Sequence, residues 1–404
     1  METLSAGRRW AALAALALGG FGLGLTEFVA MGLLPEIARD LLSSSDPEAV
    51  ARAGWMITTY AMGVVVGAPT IAALTARVPR RRLLVGLLSL FVAGTLASAV
   101  APGFDLVMAG RFVSGLAHGA YFGAAGIVAA TILGPGNHGK GFAIVLSGLT
   151  CANVFGVPLI TGLGQAQGWR IAYLAVAGVF VLTLLAVLAT VPPVAAAPGG
   201  SPRAELRSFR SPHVWLVTLV VAVGSSGFFA VISYVSPVTT HVAGLSPATV
   251  PWVMAVMGCG MTAGILTGGF AADRDLRRSV LLGFAGIVAS IALFAVSARH
   301  PAGLFAAAFL VGGASCFIGP AIQTWLISVT PGAQLMGAAV NQSAGNIANS
   351  AGAALGGAAI SLNWGYLGAA WIGFALAAIG LALAFVAFSA RAASPVPDTV
   401  GVAR

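Results

Sequence analysis

Residues 67–82 read GAPTIAALTARVPRRR, and residues 264–279 read GILTGGFAADRDLRRS. The two stretches align at a constant offset of 197 positions, with glycine, threonine and arginine recurring in the same places. A second pair aligns at an offset of 196, so that Asn153 and Gly156 correspond to Asn349 and Gly352. The chain therefore contains an internal repeat, and this repeat divides it into two similar halves.

The composition excludes a soluble protein. Of the 404 residues, 58% are hydrophobic and 8% are charged, whereas soluble domains have roughly 25% charged residues. So few charges also exclude a disordered chain. At about 20 residues per membrane helix, a chain of this length has room for about a dozen spans joined by short loops.

Twelve apolar stretches are long enough to cross a bilayer as helices. We number them as spans one to twelve and predict them at residues 11–34, 53–76, 83–101, 105–131, 141–165, 170–191, 213–238, 249–272, 280–298, 302–329, 337–361 and 367–390. The predicted fold is an all-α membrane protein of twelve transmembrane helices in two pseudo-symmetric six-helix halves. The first stretch resembles a signal peptide, but its apolar run is too long and contains Glu27, so we expect it to be retained.

A long polar interruption predicts the boundary between the halves. Residues 192–212 are rich in proline and glycine and include Arg203, Arg207 and Arg210. We predict an N-terminal half at 1–191, a cytoplasmic linker at 192–212, a C-terminal half at 213–390 and a cytoplasmic tail at 391–404. Parallel repeats of this kind place a cavity between the halves near the bilayer midplane.

The distribution of basic residues predicts the orientation. With the N-terminus inside, fifteen Lys and Arg fall on the cytoplasmic side and four on the other. Because Lys and Arg in short loops stay in the cytoplasm, both termini are predicted to be cytoplasmic. The net charge of +9 is then a topology signal and not a sign of nucleic-acid binding.

Two full charges, Glu27 and Arg111, lie well inside predicted spans. Each is costly near the bilayer centre unless it is paired or faces water. Glu27 either exchanges a proton or binds a cationic group, or it is a structural partner of a nearby donor. The aligned position in span seven is Phe229, so the charge is not common to both halves.

Other polar and aromatic side chains inside the spans are candidates for lining the cavity. A buried histidine such as His118 can be a proton relay or a satisfied polar core group. Amides left unpaired in lipid are costly, which favours those of span eleven as cavity residues. The predicted set is His118, Tyr121, Asn153, Phe229, Tyr234, Gln323, Asn341, Gln342 and Asn346.

Signatures of enzymes and metal sites are missing from the sequence. There is no Walker sequence, His-Glu-x-x-His or Gly-x-Ser-x-Gly, and the five histidines are scattered. We therefore predict that the protein is not an enzyme and has no metal or cofactor, and that the energy for transport comes from an ion gradient or from the substrate's own gradient.

Five segments resemble the major facilitator superfamily, in particular the drug:proton antiporter branch that includes sugar, nucleoside and chloramphenicol efflux permeases. The resemblance extends across essentially all twelve spans. The segments are TEFVAMGLLPEIARDL (26–41), GAPTIAALTARVPRRRLL (67–84), AGRFVSGLAHGAYFG (109–123), ANVFGVPLITGLGQAQGWR (152–170) and GGFAADRDLRRS (268–279).

The resemblance implies roles for several residues. Arg111 matches the arginine that the family associates with proton coupling, and Gly156-Val157-Pro158 resembles the antiporter motif, although Ile160 replaces a frequent glycine. The loop after span two resembles a cytoplasmic gate, with Ala76 where many members have aspartate. The implied inner-gate residues are Arg77, Arg81, Asp273, Arg274 and Arg278.

These observations predict a proton-coupled exporter of a drug, sugar or nucleoside-like compound that works by alternating access. In this hypothesis protonation and substrate compete for Glu27, and Arg111 pairs with Glu27 in the empty carrier. The alternative is an importer or uniporter of a small neutral solute on the same fold. The expected partners are a small-molecule substrate, protons and lipid, with no nucleic acid, and we expect a monomer in the bacterial cytoplasmic membrane.

Overall fold

The chain folds into long helices. The computed structural model describes residues 5–75, 78–134, 138–194, 212–329 and 334–392, although a few side chains in these ranges, including that of Asp273, are not described. Spans one to six contain helices at Ala6–Gly32, Trp55–Leu74, Arg80–Val100, Phe104–Leu133, His138–Cys151 continued by Val157–Gln167, and Trp169–Thr190. Spans seven to twelve contain helices at Pro212–Ser233, Val250–Arg274, Leu276–Ser297, Pro301–Val329, Gln334–Ser361 and Tyr366–Ala392.

Every predicted stretch therefore contains a helix, as the predicted twelve-helix fold requires. Within the described ranges, eleven helices are long and apolar enough to cross a membrane. The helix of span eleven has 28 residues and is not among them, because it contains the amides of Asn341, Gln342, Asn346 and Asn349. Most of the predicted linker, the predicted tail and Arg77 lie outside the described residues.

Spans one and seven break at equivalent places near one end of the bundle. The backbone leaves the helical region at Leu33 (φ −122°, ψ 14°) and at Tyr234 (φ −117°, ψ 19°). Short helices follow at Leu34–Leu42 and Val235–Pro237, and each contains a proline. Proline lacks the N–H of a helical residue and clashes with the carbonyl four residues earlier, which accounts for the two breaks.

Span five contains a π-helical segment at Ala152–Gly156. It lies directly before Val157–Gln167, a helix that has Pro158 in its first turn. Proline has no N–H to donate to the preceding turn, and a single wide turn accommodates this missing hydrogen bond. Such π-helical turns are frequent at functional sites. The π-helix is therefore the local irregularity that accompanies Pro158 in span five.

Close helix packing recurs at the offset of the sequence repeat. A Cβ added to Gly115 of span four would lie 2.1 Å from the carbonyl oxygen of Tyr60 in span two. In the second half, a Cβ on Gly312 of span ten would lie 2.3 Å from the carbonyl oxygen of Met257 in span eight. Only glycine allows these backbones to come so close, so both halves use the same small-residue contact.

The two halves meet mainly through span two against span eleven and span five against span eight. We call the helix ends on the side of Ala6, predicted to be cytoplasmic, the inner ends and the opposite ends the outer ends. Near the outer ends, Pro47–Ala53 packs on span eleven and Leu34–Leu42 packs on Val235–Pro237. In the same region the Thr58 hydroxyl donates to the carbonyl oxygen of Ser350 at 3.3 Å. The halves are therefore in contact at their outer ends.

Candidate functional site

Arg111 is held inside the N-terminal half. Its Nη1 donates to the carbonyl oxygen of Thr26 at 2.7 Å and to the Thr26 hydroxyl at 3.1 Å, and its Nε donates to the carbonyl oxygen of Met56 at 3.4 Å. The guanidinium also lies over the ring of Tyr60, 4.2 Å from the centroid, in a cation–π contact. The side chain is 1% exposed. Arg111 thus ties spans one, two and four together directly beside Glu27.

Glu27 contacts the other half of the protein. Its Oε1 accepts a hydrogen bond from Nδ2 of Asn349 in span eleven at 3.3 Å. The Glu27 side chain is partly exposed, whereas Asn349 is fully buried and its Oδ1 has no hydrogen-bond partner. A membrane carboxylate and an amide from opposite halves therefore meet at the junction between them.

The structure corrects one detail of the sequence-based hypothesis. No ion pair joins Glu27 to Arg111 among the described side chains. Carbonyl oxygens and the Tyr60 ring surround the guanidinium, and its Nη2 has no hydrogen-bond partner. Thr26 directly precedes Glu27 in the helix. Its carbonyl oxygen binds the Arg111 guanidinium, while the Glu27 carboxylate points toward span eleven.

His118 also bridges the halves. Its Nδ1 is 2.8 Å from the Tyr60 hydroxyl, and its Nε2 is 3.1 Å from Nε2 of Gln342 in span eleven. The ring is 1% exposed and makes an edge contact with Tyr60. Both ring nitrogens therefore have partners, and a single chain of contacts runs from Arg111 through Tyr60 and His118 to Gln342.

The amides of span eleven form a stripe. Gln342, Asn346 and Asn349 recur at the spacing of one helical face. Asn346 is buried, donates to the carbonyl oxygen of Gln342 at 3.0 Å and leaves its Oδ1 without a partner. Asn341 points elsewhere and donates to Oε1 of Gln323 in span ten at 2.6 Å. The stripe thus faces the N-terminal half, while Asn341 and Gln323 pair within the C-terminal half.

Two predicted cavity aromatics are packed inside the protein instead. The Tyr121 hydroxyl donates to the carbonyl oxygen of Leu16 at 3.1 Å, and a Cβ on Gly19 would collide with it. The Tyr234 hydroxyl donates to the carbonyl oxygen of Ala353 at 2.8 Å, beside Gly54 of span two. Both rings are fully buried. Sequence spacing could not distinguish these packing tyrosines from cavity residues.

Phe229 and Asn153 are two further residues that were predicted to line the cavity. Phe229 is partly exposed and packs against Gly352 of span eleven. Asn153, in the π-helix of span five, lines a cavity of about 10 Å³ next to Phe28, the residue after Glu27. That volume holds about one water molecule. Methionines of span eight complete its wall, namely Met254, Met257 and Met261.

The inner-gate residues that the structure describes make local contacts. Arg81 donates to the carbonyl oxygen of Leu188 at 2.5 Å. Arg278 pairs with Asp275 at 3.2 Å, and the Asp275 carboxylate also caps the helix of span nine by accepting from the N–H of Arg278. Arg274 is exposed. Arg77 and the Asp273 side chain lie outside the described residues, so the carboxylate seen beside the gate arginines is Asp275, which the sequence analysis did not select.

At the outer ends, a polar cluster joins spans one, three and six. Asp40 forms a salt bridge with Arg170 and accepts a hydrogen bond from Nε1 of Trp169 at 2.9 Å. Nη2 of Arg170 donates to the carbonyl oxygen of Ala101 at 2.9 Å. Asp40 and Arg170 therefore link three helices at the outer ends of the N-terminal half.

Three residues of the site were not predicted from the sequence, namely Thr26, Tyr60 and Asn349. Thr26 acts mainly through its backbone carbonyl, which no side-chain pattern reveals. Asn349 was noticed as a member of the repeat but not as a site residue. Its signal was the spacing of seven residues from Gln342, which places both on one helical face. In the described part of the chain, no group of three His, Cys, Asp or Glu side chains is placed to hold a metal ion.

Long apolar helices, two similarly packed halves and a buried polar junction between them define a multi-helix membrane transporter. A model of the Major Facilitator Superfamily matches residues 16–246 and 233–401. The chain belongs to this family. It is a multi-pass inner membrane protein and a transporter of the major facilitator type, a class that is generally not enzymatic.

Curated relatives cover most of the chain. Inner membrane transport protein YdhP of Escherichia coli strain K12 is 36% identical over 339 residues, 84% of this chain and 86% of that protein. The putative transporter AraJ of the same strain is 34% identical over 83% of this chain and 84% of that protein. A chloramphenicol resistance protein of Streptomyces lividans is 32% identical over 83% of this chain and 86% of that protein.

Solved structures share the fold. A bacterial homologue of the human lysosomal transporter Spinster, solved in an inward-facing and unoccupied conformation, superposes with a TM-score of 0.73 at 15% identity, over 95% of this chain and 98% of that one. A point mutant of the nucleoside transporter NupG gives a TM-score of 0.73 at 13% identity, over 95% of this chain and 99% of that one. At these identities the likeness concerns the fold alone.

Proposed function

We propose that the protein exports small molecules from the cytoplasm in exchange for protons, with Glu27 as the carboxylate that exchanges the proton. The observation that supports this most is the position of Glu27. It is a partly exposed carboxylate at the junction of the two halves, and its hydrogen-bond partner Asn349 belongs to the half that must move relative to it. Ionisable groups inside membrane helices default to functional roles because they are costly there.

Arg111 completes the coupling centre without forming an ion pair in this structure. It fixes the turn of span one that presents Glu27, through the Thr26 carbonyl, and its charge interacts electrostatically with the carboxylate. Protonation of Glu27 removes that attraction, and so does a cationic substrate that competes for the carboxylate. Either event changes the balance between the two arrangements of the halves.

The proposed substrate is a moderately lipophilic neutral or cationic compound. Amides, aromatic rings and a single carboxylate line or adjoin the junction, and methionines of span eight form an adaptable apolar wall beside it. Similarity to a chloramphenicol resistance protein supports export of an antibiotic-like compound. We propose that a single chain is the transporting unit, because the junction is built from the two halves of one chain.

The alternative is an importer or uniporter of a small neutral solute, in which Glu27 is only a hydrogen-bond acceptor. The Glu27–Asn349 bond and the missing ion pair are compatible with it. The two hypotheses differ in their response to a proton gradient, because only a proton-coupled carrier moves its substrate uphill when the outer face is acidified.

Everted membrane vesicles containing the protein test the proposal. The lumen, which corresponds to the outer face, is acidified, and a panel of chloramphenicol-like drugs, sugars and nucleosides is offered outside. We expect accumulation of at least one compound above its external concentration, with loss of accumulation when the gradient is dissipated. Equilibration without accumulation for every transported compound would support the uniporter instead.

A further inference from the structure

The bond between Asn349 and Glu27 is one of two described inter-half bonds made at adjacent positions of span eleven. Asn349 donates to the Glu27 carboxylate through its side chain, and the next residue, Ser350, accepts from Thr58 through its backbone. Both lie where the halves are in contact. The two bonds differ in one respect. Only the bond of Asn349 has a partner, Glu27, whose charge changes with protonation.

We propose that Asn349 is a positioning residue that holds the unprotonated, empty carrier closed at its outer ends by donating to the Glu27 carboxylate. A proton at Glu27 weakens this bond, a substrate that binds the carboxylate replaces it, and either event lets the outer ends separate. The inference rests on the proposed function, because it assigns a partner to the coupling carboxylate. The bond makes exchange of proton for substrate obligatory, because a carrier that has bound neither of them stays closed at its outer ends.

The strength of the bond depends on the charge of Glu27. Hydrogen bonds to an ionised carboxylate are roughly twice as strong as those between neutral groups. An amide also bonds to a protonated acid, but that neutral contact is the weaker of the two. Protonation therefore weakens the inter-half contact without removing any side chain, which is the property that a coupling element requires.

The surroundings of Asn349 leave it no competing partner in the described part of the protein. Asn349 is fully buried, its Nδ2 donates to Glu27, and its Oδ1 has no hydrogen-bond partner. In the N-terminal half the equivalent of Asn349 is Asn153, and the equivalent of Glu27 in span seven is Phe229. Phe229 offers no acceptor, so the contact exists on one side of the repeat only.

Few other titrating groups can imitate this response. The ionisable side chains around Glu27 are Arg111 of span four, Tyr60 of span two and Tyr173 of span six, and His118 follows Tyr60 in the contact chain. From spans five, seven and eight, the residues that line the cavity beside Phe28 do not titrate, and they are Asn153, Val157, Ile232, Met254, Met257, Gly258 and Met261. Glu36 and His241 also lie at the outer ends, so the response to acid is assigned to Glu27 by comparison with the Glu27→Gln protein.

Distance measurements across the outer ends test the proposal without a known substrate. Spin labels are placed on Glu48→Cys and Ser361→Cys, two exposed positions that face the same outer cleft from opposite halves, after the free cysteines Cys151, Cys259 and Cys316 are replaced by serine. The full-length protein in lipid nanodiscs is measured at pH 8 and pH 5. We expect the otherwise unchanged protein to be mainly closed at pH 8 and to open at pH 5.

Asn349→Leu keeps the size of the side chain and removes the donor. It should raise the ratio of open to closed protein at pH 8 about tenfold or more, because that factor corresponds to the free energy of a hydrogen bond to a charged group. The difference between pH 8 and pH 5 should then nearly vanish. Glu27→Gln should be mainly open at both pH values, and adding Asn349→Leu to it should have a much smaller effect than in the parent protein, because only a neutral hydrogen bond is then lost. Thr58→Val removes the neighbouring inter-half bond and should leave the pH response intact.

The outcomes separate the two claims. If Glu27→Gln abolishes the pH response but Asn349→Leu behaves like the parent protein, the role of Asn349 is wrong and the proposed function stands. If Glu27→Gln retains the response of the parent protein, the proposed role of Glu27 itself fails. If Thr58→Val and Asn349→Leu lose the response equally, the effect is general loosening of the interface and the role of Asn349 is also wrong.

Discussion

The guanidinium of Arg111 binds the carbonyl oxygen of Thr26 at 2.7 Å, and not the carboxylate of the next residue, Glu27. The arginine therefore positions the backbone that presents the carboxylate and leaves the carboxylate free to face the second half. This separates two tasks that an ion pair would combine. Arg111 supports the geometry of the site, and Glu27 makes the contact that can change during transport.

Arg111→Lys should lower both thermal stability and transport while keeping the positive charge. Lysine cannot serve the Thr26 and Met56 carbonyls together or stack on Tyr60 in the same way. Hydrogen bonds that involve a charged group contribute about 1.5–3 kcal/mol each, so we expect the unfolding temperature in detergent to fall by several degrees. Arg52→Lys, at an exposed outer position, is the control and should change little. A fully stable Arg111→Lys protein would contradict this role.

His118→Gln tests whether the histidine is a relay or a satisfied core group. Both ring nitrogens have partners in Tyr60 and Gln342, so we expect packing to be its role. The variant should lose some stability, because neither bond is remade with the same geometry, but the pH dependence of transport should keep its midpoint. Transport at a series of pH values measures this. Loss of all proton-driven transport from a correctly folded variant would instead identify His118 as a relay.

Glycine substitutions test the close helix packing. Gly115→Ala and Gly312→Ala place a methyl group 2.1 Å and 2.3 Å from a backbone oxygen of the neighbouring helix. Each should push two helices apart and reduce the yield of monodisperse protein. Gly123→Ala and Gly319→Ala are matched controls, since nothing lies within 4 Å of the added atom. Alanine is favoured over glycine within a helix by roughly 0.5–1 kcal/mol, so these controls should be neutral or stabilising.

Asp46→Ala tests a pH-dependent cap near the outer ends. The N–H of Ala49 donates to Asp46 at 2.8 Å, and this bond is the main cause that lowers the pKa of Asp46 below its ordinary 3.8. The cap therefore contributes fully above the ordinary value and is lost as the pH falls through the lowered one. We expect faster deuterium uptake in Pro47–Ala53 for the variant at neutral pH. Asp46→Asn keeps a capping acceptor, so its Pro47–Ala53 helix should take up deuterium as slowly as that of the parent protein. Equal uptake in the parent, Asp46→Ala and Asp46→Asn proteins would refute the assignment of Asp46 as the cap.

The fold was accessible from the sequence because a bilayer forces its spanning segments into apolar helices. Each predicted span contains a helix, yet hydropathy could not predict the breaks at Leu33 and Tyr234 or the π-helix before Pro158. Those depend on where proline removes a backbone bond. Span eleven shows a different limit of hydropathy. Its amides lower the mean hydropathy of a helix that nevertheless packs between the two halves.

The candidate site was accessible in part. Glu27 and Arg111 were identifiable because charges in apolar stretches are conspicuous. Their partners were not, because Arg111 is bound by backbone carbonyls and Glu27 by an amide 322 positions away. Tyr121 and Tyr234 were selected for their polar groups, but each hydroxyl is satisfied by a neighbouring backbone carbonyl. The partners of these side chains depend on which face of each helix meets its neighbour. That is a property of the packed bundle and not of the local sequence.

Transport by the Glu27→Gln protein in proteoliposomes tests the central claim most directly. Glutamine keeps the size of the side chain but cannot exchange a proton at any pH used. With a substrate identified by the vesicle panel, we predict that the variant folds and exchanges substrate for substrate, but does not accumulate it against a gradient when the outer face is acidic. Uphill, proton-driven transport by Glu27→Gln at the rate of the unaltered protein would contradict the account.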